Sequence, residues 1–299
     1  MHSTLMVFLD GVGIGKKDEI HNPFFSRKRN FISEIFGDIP HIDNRSLRNN
    51  GKYLFPVDAC MGVEGLPQSG TGQTSIFCGI NAPQFVGKHF GPYPYSTLIP
   101  ILEEKNIFKT FLDRGDKAFF VNAYPKLFFN YLKAGGRRLS VTSLSCRLSG
   151  IRLNTSTDLW KGRALTADID NRRWNERLKY KLPKISGAAA AKRLIKIAGN
   201  NNFTLYEFYL TDHFGHGRNA NEKEITLNLL DDFLIHLLQN IPDKMTLLIC
   251  SDHGNLEDLS IKSHTRNPAL TISAGKHAKS LSEKIRSLNQ IKDAILELS

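Results

Sequence analysis

Short, mostly apolar runs of strand length alternate along this chain with longer stretches of helical period. Residues 5–9, 205–210 and 246–250 are three such runs, and an aspartate follows each within two residues: Asp10, Asp212 and Asp252. Their length and apolar content predict buried strands. Further strands are predicted near 117–121 and 268–273. Helical patterns cover 70–78, 97–113, 221–240 and 279–298, and Ser186 stands as an N-cap ahead of an alanine-rich helix running to Ala198. Residues 20–60 read as a polar, irregular surface excursion. Residues 125–185 carry Gly135-Gly136, many Arg and Lys and no sustained period, and read as an insertion or cap over a crevice at the sheet's end. Strands alternating with helices of this length define an α/β fold, its parallel or mixed sheet covered on both faces.

Composition narrows the class. A chain of 299 residues buries a substantial core as one domain, 1–299, with the stretch of about 125–185 inserted. No apolar run approaches a membrane span, and residues 5–9 are too short for a signal-peptide core. The four cysteines, Cys60, Cys78, Cys146 and Cys250, are scattered, which fits reduced thiols and a cytoplasmic location. The net charge of +11 favours anionic partners. Its basic residues fall in small clusters, Arg27-Lys28-Arg29 and Arg137-Arg138, without an aromatic–basic motif. A solvated basic surface is therefore expected rather than a nucleic-acid site.

In an open parallel sheet, ligands bind beyond the carboxyl ends of the strands, so Asp10, Asp212 and Asp252 are expected at one crevice. Histidines accompany them. His216 follows Asp212 at a spacing of four, one helical face if the turn is helical. His253 follows Asp252 directly, and Gly254 permits the bend that lets neighbours converge. His264 comes shortly afterwards in Ser-His-Thr-Arg-Asn-Pro. Each alone has an ordinary reading as a surface carboxylate or loop histidine. Together, three carboxylates and three imidazoles supply enough donors for two divalent metal ions. Such mixed donor sets suit Mn²⁺ or Zn²⁺ better than Mg²⁺. His213 is expected to point elsewhere. The run Gly-Leu-Pro-Gln-Ser-Gly-Thr-Gly-Gln-Thr over 65–74 puts Ser69 in a tight turn opening a helix. There it serves either as an N-cap or as a metal-activated nucleophile, with Thr71 and Thr74 as rival hydroxyls.

These residues, in this order, resemble the alkaline phosphatase superfamily: Leu9-Asp10-Gly-Val-Gly, Ser69-Gly-Thr-Gly-Gln, Asp212-x-x-x-His216, Asp252-His253-Gly-Asn and His264-Thr-x-Asn-Pro. The branch they resemble holds cofactor-independent phosphoglycerate mutase and phosphopentomutase. The resemblance implies a three-layer α/β/α sandwich with a mostly parallel sheet. It further implies that Asp212, His216 and His264 hold one metal and Asp10, Asp252 and His253 the second, with Ser69 bridging or adjoining them as nucleophile. Two departures weigh against mutase activity. Gln73 stands where those mutases carry a histidine, and the chain is too short for the large inserted domain of the phosphoglycerate mutase.

The expectation is a two-metal phosphatase or phosphoryl-transfer enzyme acting on a small phosphorylated metabolite through a phosphoseryl intermediate. Lys161 or Arg163 is expected to clamp the substrate phosphate, a solvated loop being the competing reading. The alternatives are a phosphomutase, and a non-catalytic scaffold binding polyanions through its positive surface.

Overall fold

The computed structural model describes residues 2–298. Seven strands form one sheet: β1 (Ser3–Leu9), β2 (Leu47–Asn49), β3 (Lys52–Val57), β4 (Ala118–Phe120), β5 (Phe203–Phe208), β6 (Met245–Cys250) and β7 (Ala269–Gly275). Their order across the sheet is β2-β3-β7-β6-β1-β5-β4. β6, β1, β5 and β4 run parallel, whereas β7 lies antiparallel between β6 and β3. The sheet is mostly parallel, and helices cover it on both faces.

β1, β5 and β6 are buried along their whole length, as expected of strands covered on both sides. The period of two divides their side chains between two cores. Leu5, Val7 and Leu9 pack with Leu247 and Ile249 beneath the helices Gly187–Ala198 and Lys223–Asn240. Met6 and Phe8 face the opposite way, with Leu248 and Cys250, onto the helices Ser69–Cys78 and Ile107–Asp113. This is the α/β/α sandwich.

Several elements differ from their sequence reading, each for a local reason. Residues 20–60 are not a surface excursion. Phe31 and Ile32 of the helix Phe31–Phe36 enter the core, and β2 and β3 form an edge hairpin. Its turn is Asn50-Gly51, with φ of 44° and 73°. An Asn-Gly pair between strands is a strong hairpin signal, but β2 has only three residues, too few to show a strand pattern in the sequence. The helix expected over 97–113 breaks at Asn106, which is extended and caps the second piece through Lys109 N. The strand expected to reach 210 stops at Phe208, and Leu210 opens the short helix Leu210–Gly215. The terminal helix is interrupted between Ala278–Lys284 and Ile291–Leu296.

The stretch 125–185 forms four short helices. The helix Val141–Leu148 joins the core beneath Met6 and Phe8, through Val141 and Cys146. Ala123, Leu159, Ala164, Trp174 and Leu182 make a small apolar cluster of their own.

Candidate metal centre

Because β1, β5 and β6 are parallel, their carboxyl ends open on one edge of the sheet. Asp10 follows β1 directly. Asp212 lies in the first turn of the helix after β5, and Asp252 lies two residues beyond β6. β7 runs the other way, so the loop that precedes it, carrying His264, meets the same edge from the opposite direction. The structure brings all three aspartates and all three histidines together there.

His253 is central. Its Nε2 lies 3.0 Å from Ser69 Oγ, 3.4 Å from Asp10 Oδ1 and 3.5 Å from Asp252 Oδ2. Its ring stacks on that of His264, with centroids 3.8 Å apart. On the other side, Asp212 Oδ1 lies 3.3 Å from His216 Nε2 and 3.4 Å from His264 Nε2. Two donor groups result, Asp10–Asp252–His253 and Asp212–His253–His264, with His216 adjoining the second through Asp212.

The imidazoles are held from behind. Nδ1 of His216 faces the Lys262 carbonyl at 2.7 Å, and Nδ1 of His264 faces the Pro67 carbonyl at 2.6 Å. An Nδ1–H donated to a carbonyl leaves Nε2 as a lone pair facing the site, the usual backing of a metal-bound histidine. The Nε2 atoms of His216 and His264 are only 3.1 Å apart. Asp10 Oδ1 is buried and accepts no hydrogen bond. Facing lone pairs and an unpartnered buried carboxylate oxygen call for positive charge between them, so these residues fit divalent cations.

The charges of the site confirm its electrostatic demand. Burial pushes the Asp10 carboxyl well above its usual pKa, and the negative charges of Asp252, Asp212 and Glu207 push it further. For Asp212, burial works in the same sense, but His264, His253, Asn255 and His216 outweigh it and hold the carboxyl below its usual range. Burial disfavours charge on His253 and lowers its pKa. Without a cation in place, His264 resists burial by taking up a second proton, on Nε2, that it donates to Asp212, and its pKa rises. Glu207 on β5 is raised from 4.5 to about 7, by burial first and then by Asp252.

One buried carboxylate joins the loops that carry these ligands. Glu257 accepts from Gly13 N at 2.9 Å, Asn255 N at 2.8 Å, Thr265 Oγ1 at 2.5 Å and Asn267 Nδ2 at 3.0 Å. It therefore ties the turn after β1 to the loops after β6 and before β7. Gly254 is required by this packing rather than by an unusual φ, since a Cβ there would stand 2.2 Å from Glu257 Oε1 and from Thr265 Oγ1. Gly11 does adopt a positive φ of 68°, and it turns the chain tightly against Asp212.

Ser69 occupies the first turn of the ten-residue helix Ser69–Cys78, where free N–H groups and the helix dipole favour an anion. The rival hydroxyls are engaged elsewhere. Thr71 Oγ1 donates to the Gln68 carbonyl and accepts from Phe90 N, and Thr74 Oγ1 donates to the Gly70 carbonyl. Gln73, one turn on, donates to Asp252 Oδ2 at 3.3 Å.

A cavity of about 610 Å³ opens above this floor, with Asp10, Ser69, Gln73 and Asp212 at its base. Lys161 and Arg163 do not line it. Arg163 donates instead to Asp158, which also binds Arg152, and Lys161 is exposed at the end of a neighbouring helix. Arg138, Arg173, Arg177 and Arg218 line the cavity, as does His213. His213 belongs to neither donor group, its side chain lining the cavity wall instead. Nothing local in the sequence distinguishes Arg138, Arg173 and Arg177 from the other arginines between 125 and 185, and Arg218 lies outside that stretch.

Fold and site together define an α/β/α sandwich with donor groups suited to metal ions at one edge of its sheet. Residues 176–298 match the model of the Metalloenzyme superfamily. No curated protein matches the chain in sequence. Among solved structures, the PH0037 protein from Pyrococcus horikoshii is similar at 16% identity and a TM-score of 0.54, with 99% of this chain and 96% of that one covered. The alkaline phosphatase of the Antarctic bacterium TAB5 is similar at 14% identity and a TM-score of 0.52, covering 99% and 97%. A cold-active alkaline phosphatase from Shewanella sp. is similar at 10% identity and a TM-score of 0.51, covering 98% and 99%. The family match covers the last two fifths of the chain, about 176–298, and the fold over the whole chain is similar to that of an alkaline phosphatase.

Proposed function

We propose that this chain is a two-metal phosphatase or phosphoryl-transfer enzyme acting on a small phosphorylated metabolite. The observation that carries this reading is the placement of Ser69 Oγ, 3.0 Å from His253 Nε2, at the base of the cavity where both donor groups meet. Asp10, Asp252 and His253 would hold one cation, and Asp212, His264 and His216 the other, with His253 near enough to both to couple them. Bound there, Mn²⁺ or Zn²⁺ would supply Lewis-acid stabilisation of phosphoryl oxygens and ease deprotonation of a hydroxyl.

The chain's own residues do the rest. Ser69 Oγ attacks phosphorus in line, forming an Oγ–P bond as the ester P–O bond breaks and the leaving oxygen departs with a proton. The N-terminal turn of its helix stabilises the anionic oxygens. Water then attacks the phosphoserine and releases inorganic phosphate and the free Ser69 hydroxyl. Gln73 holds Asp252 in place from the same helix.

The wall contributed by residues 123–178 favours a second reading, in which the cavity shields the phosphoserine from water and returns the phosphoryl group to another hydroxyl of the same substrate. In the deciding experiment, metal content of protein purified without chelator is measured beside hydrolysis of p-nitrophenyl phosphate. About two metals per chain and chelator-reversible hydrolysis support the phosphatase. Bound metal with isomerisation but no phosphate release supports the mutase. A chain that takes up neither Mn²⁺ nor Zn²⁺ overturns both.

A further inference from the structure

The arginines of the cavity are not distributed at random around it. The short helix Arg172–Leu178 presents Arg173 and Arg177 one turn apart. Both face the single carboxylate of Glu222, with Arg173 Nε at 3.9 Å and Arg177 Nη2 hydrogen-bonded to it. Arg177 also donates to Asn219 Oδ1 at 3.2 Å, next in sequence to Arg218. Arg218 in turn donates its backbone N–H to the His213 carbonyl at 2.8 Å. Arg173, Arg177, His213 and Arg218 therefore form one contiguous wall of the cavity whose base holds Ser69.

That wall has donors to spare. Arg173 Nη1 and His213 Nδ1 are buried with no hydrogen-bond partner. Among the described residues, no carboxylate lies within 4.0 Å of the Arg218 guanidinium; Glu222 is the ion-pair partner of Arg173 and Arg177, while Asp168, which also lines the cavity, accepts from Arg173 N at 2.6 Å. None of these arginines pairs with Asp10, Asp212 or Asp252 within 4.0 Å, so their guanidinium groups are not taken up by the carboxylates of the donor groups. Guanidinium forks facing a cavity, one without an ion-pair partner and two sharing a single carboxylate, are suited to carboxylate or phosphate oxygens. Between wall and base, Tyr93, Tyr124, Trp174 and Tyr209 offer apolar surface for the body of a ligand.

We infer that the substrate is a phosphate monoester bearing a second anionic group, a carboxylate or a second phosphate, which the Arg173–His213–Arg218 wall binds while the ester sits at Ser69. The inference rests on the phosphoryl-transfer reading of Ser69, and its test separates the two. The probes are ω-carboxyalkyl phosphates and α,ω-alkane bisphosphates of graded length, each compared with the ω-hydroxyalkyl phosphate of equal length. On the Mn²⁺-loaded enzyme, kcat/KM for the best doubly anionic probe should exceed that of its hydroxy partner roughly 10- to 100-fold, the range of charge-assisted hydrogen bonds. The carboxylate and bisphosphate series show which anion the wall prefers.

Arg218 is exposed, so R218A should fold, and it should bring the ratio towards one. His213→Asn is the second variant. If R218A slows all probes equally, the wall holds the transferred phosphate itself and the inference is overturned. It is also overturned if the wild-type ratio is already near one while monoesters are hydrolysed, an outcome that leaves the phosphatase reading intact. Where no ester is turned over, calorimetry with S69A supplies the answer. Preferential binding of the doubly anionic probes, lost in S69A/R218A, upholds the wall as an anion site, and equal binding of the two probe types sinks it.

Discussion

His216 and His264 turn their Nε2 atoms towards each other at 3.1 Å, while the opposite nitrogen of each ring faces a backbone carbonyl. Two lone pairs at that separation repel unless a cation lies between them, and Asp212 stands 3.3 and 3.4 Å from the same two atoms. The pair is thus set by the main chain for a shared positive charge. His264→Ala removes one of the two rings and one member of a donor group. It should lower metal affinity by more than the roughly 10- to 100-fold typical of residues behind a metal ligand. Titration with Mn²⁺ or Zn²⁺, followed calorimetrically, checks this.

Ser69→Ala should abolish turnover, by roughly 10³-fold or more if the serine is the covalent nucleophile, and leave bound metal nearly unchanged. Single-turnover assays with labelled substrate should show phosphoprotein in the wild type and none in the variant. Full activity in the variant would falsify the nucleophile assignment.

Glu257 touches no substrate-facing surface of the main cavity, yet it accepts four hydrogen bonds from three ligand-bearing segments. Glu257→Gln keeps its shape but replaces an acceptor oxygen with a donor amide, which opposes at least one of those N–H or O–H groups. Metal affinity should fall roughly 10- to 100-fold while the circular dichroism spectrum stays native. An unchanged affinity would show that the loops hold their places without it.

Glu207 makes the metal-free protein pH-sensitive. Its carboxyl rises from 4.5 to about 7 on folding, chiefly by burial. The folded state therefore keeps a proton that the unfolded state has released, and stability from this group declines as pH climbs from about 4.5 to about 7. The size is on the order of 3 kcal/mol. With chelator present, Glu207→Gln should be more stable than the wild type at pH 8 and closer to it at pH 4.5, as read from urea midpoints. A constant difference across that range would count against the buried, raised carboxyl.

The sheet and the gathering of Asp10, Asp212 and Asp252 were legible because the strands before them are mostly apolar and the carboxylates follow within a few residues. His264 was legible only by association, since its position depends on β7 running antiparallel, a direction that residues 269–275 do not encode. The edge hairpin carried a clear turn signal in Asn50-Gly51, but its strands are too short and too half-buried to show alternation. The cavity wall was not legible at all. Arg163 and Arg173 look alike in a basic stretch, and only packing sends one to Asp158 and the other towards Ser69's cavity.

β1 lies inside the sheet, yet its partners β5 and β6 begin about 200 and 240 residues later. The seven buried residues Ser3–Leu9 have no neighbours to pair with until those segments arrive. Contacts so distant in sequence slow folding, and an unpaired apolar strand invites association between chains. During synthesis this strand emerges long before the neighbours that shelter it, so this protein should depend on chaperones more than its size suggests, and its refolding yield should fall steeply with concentration.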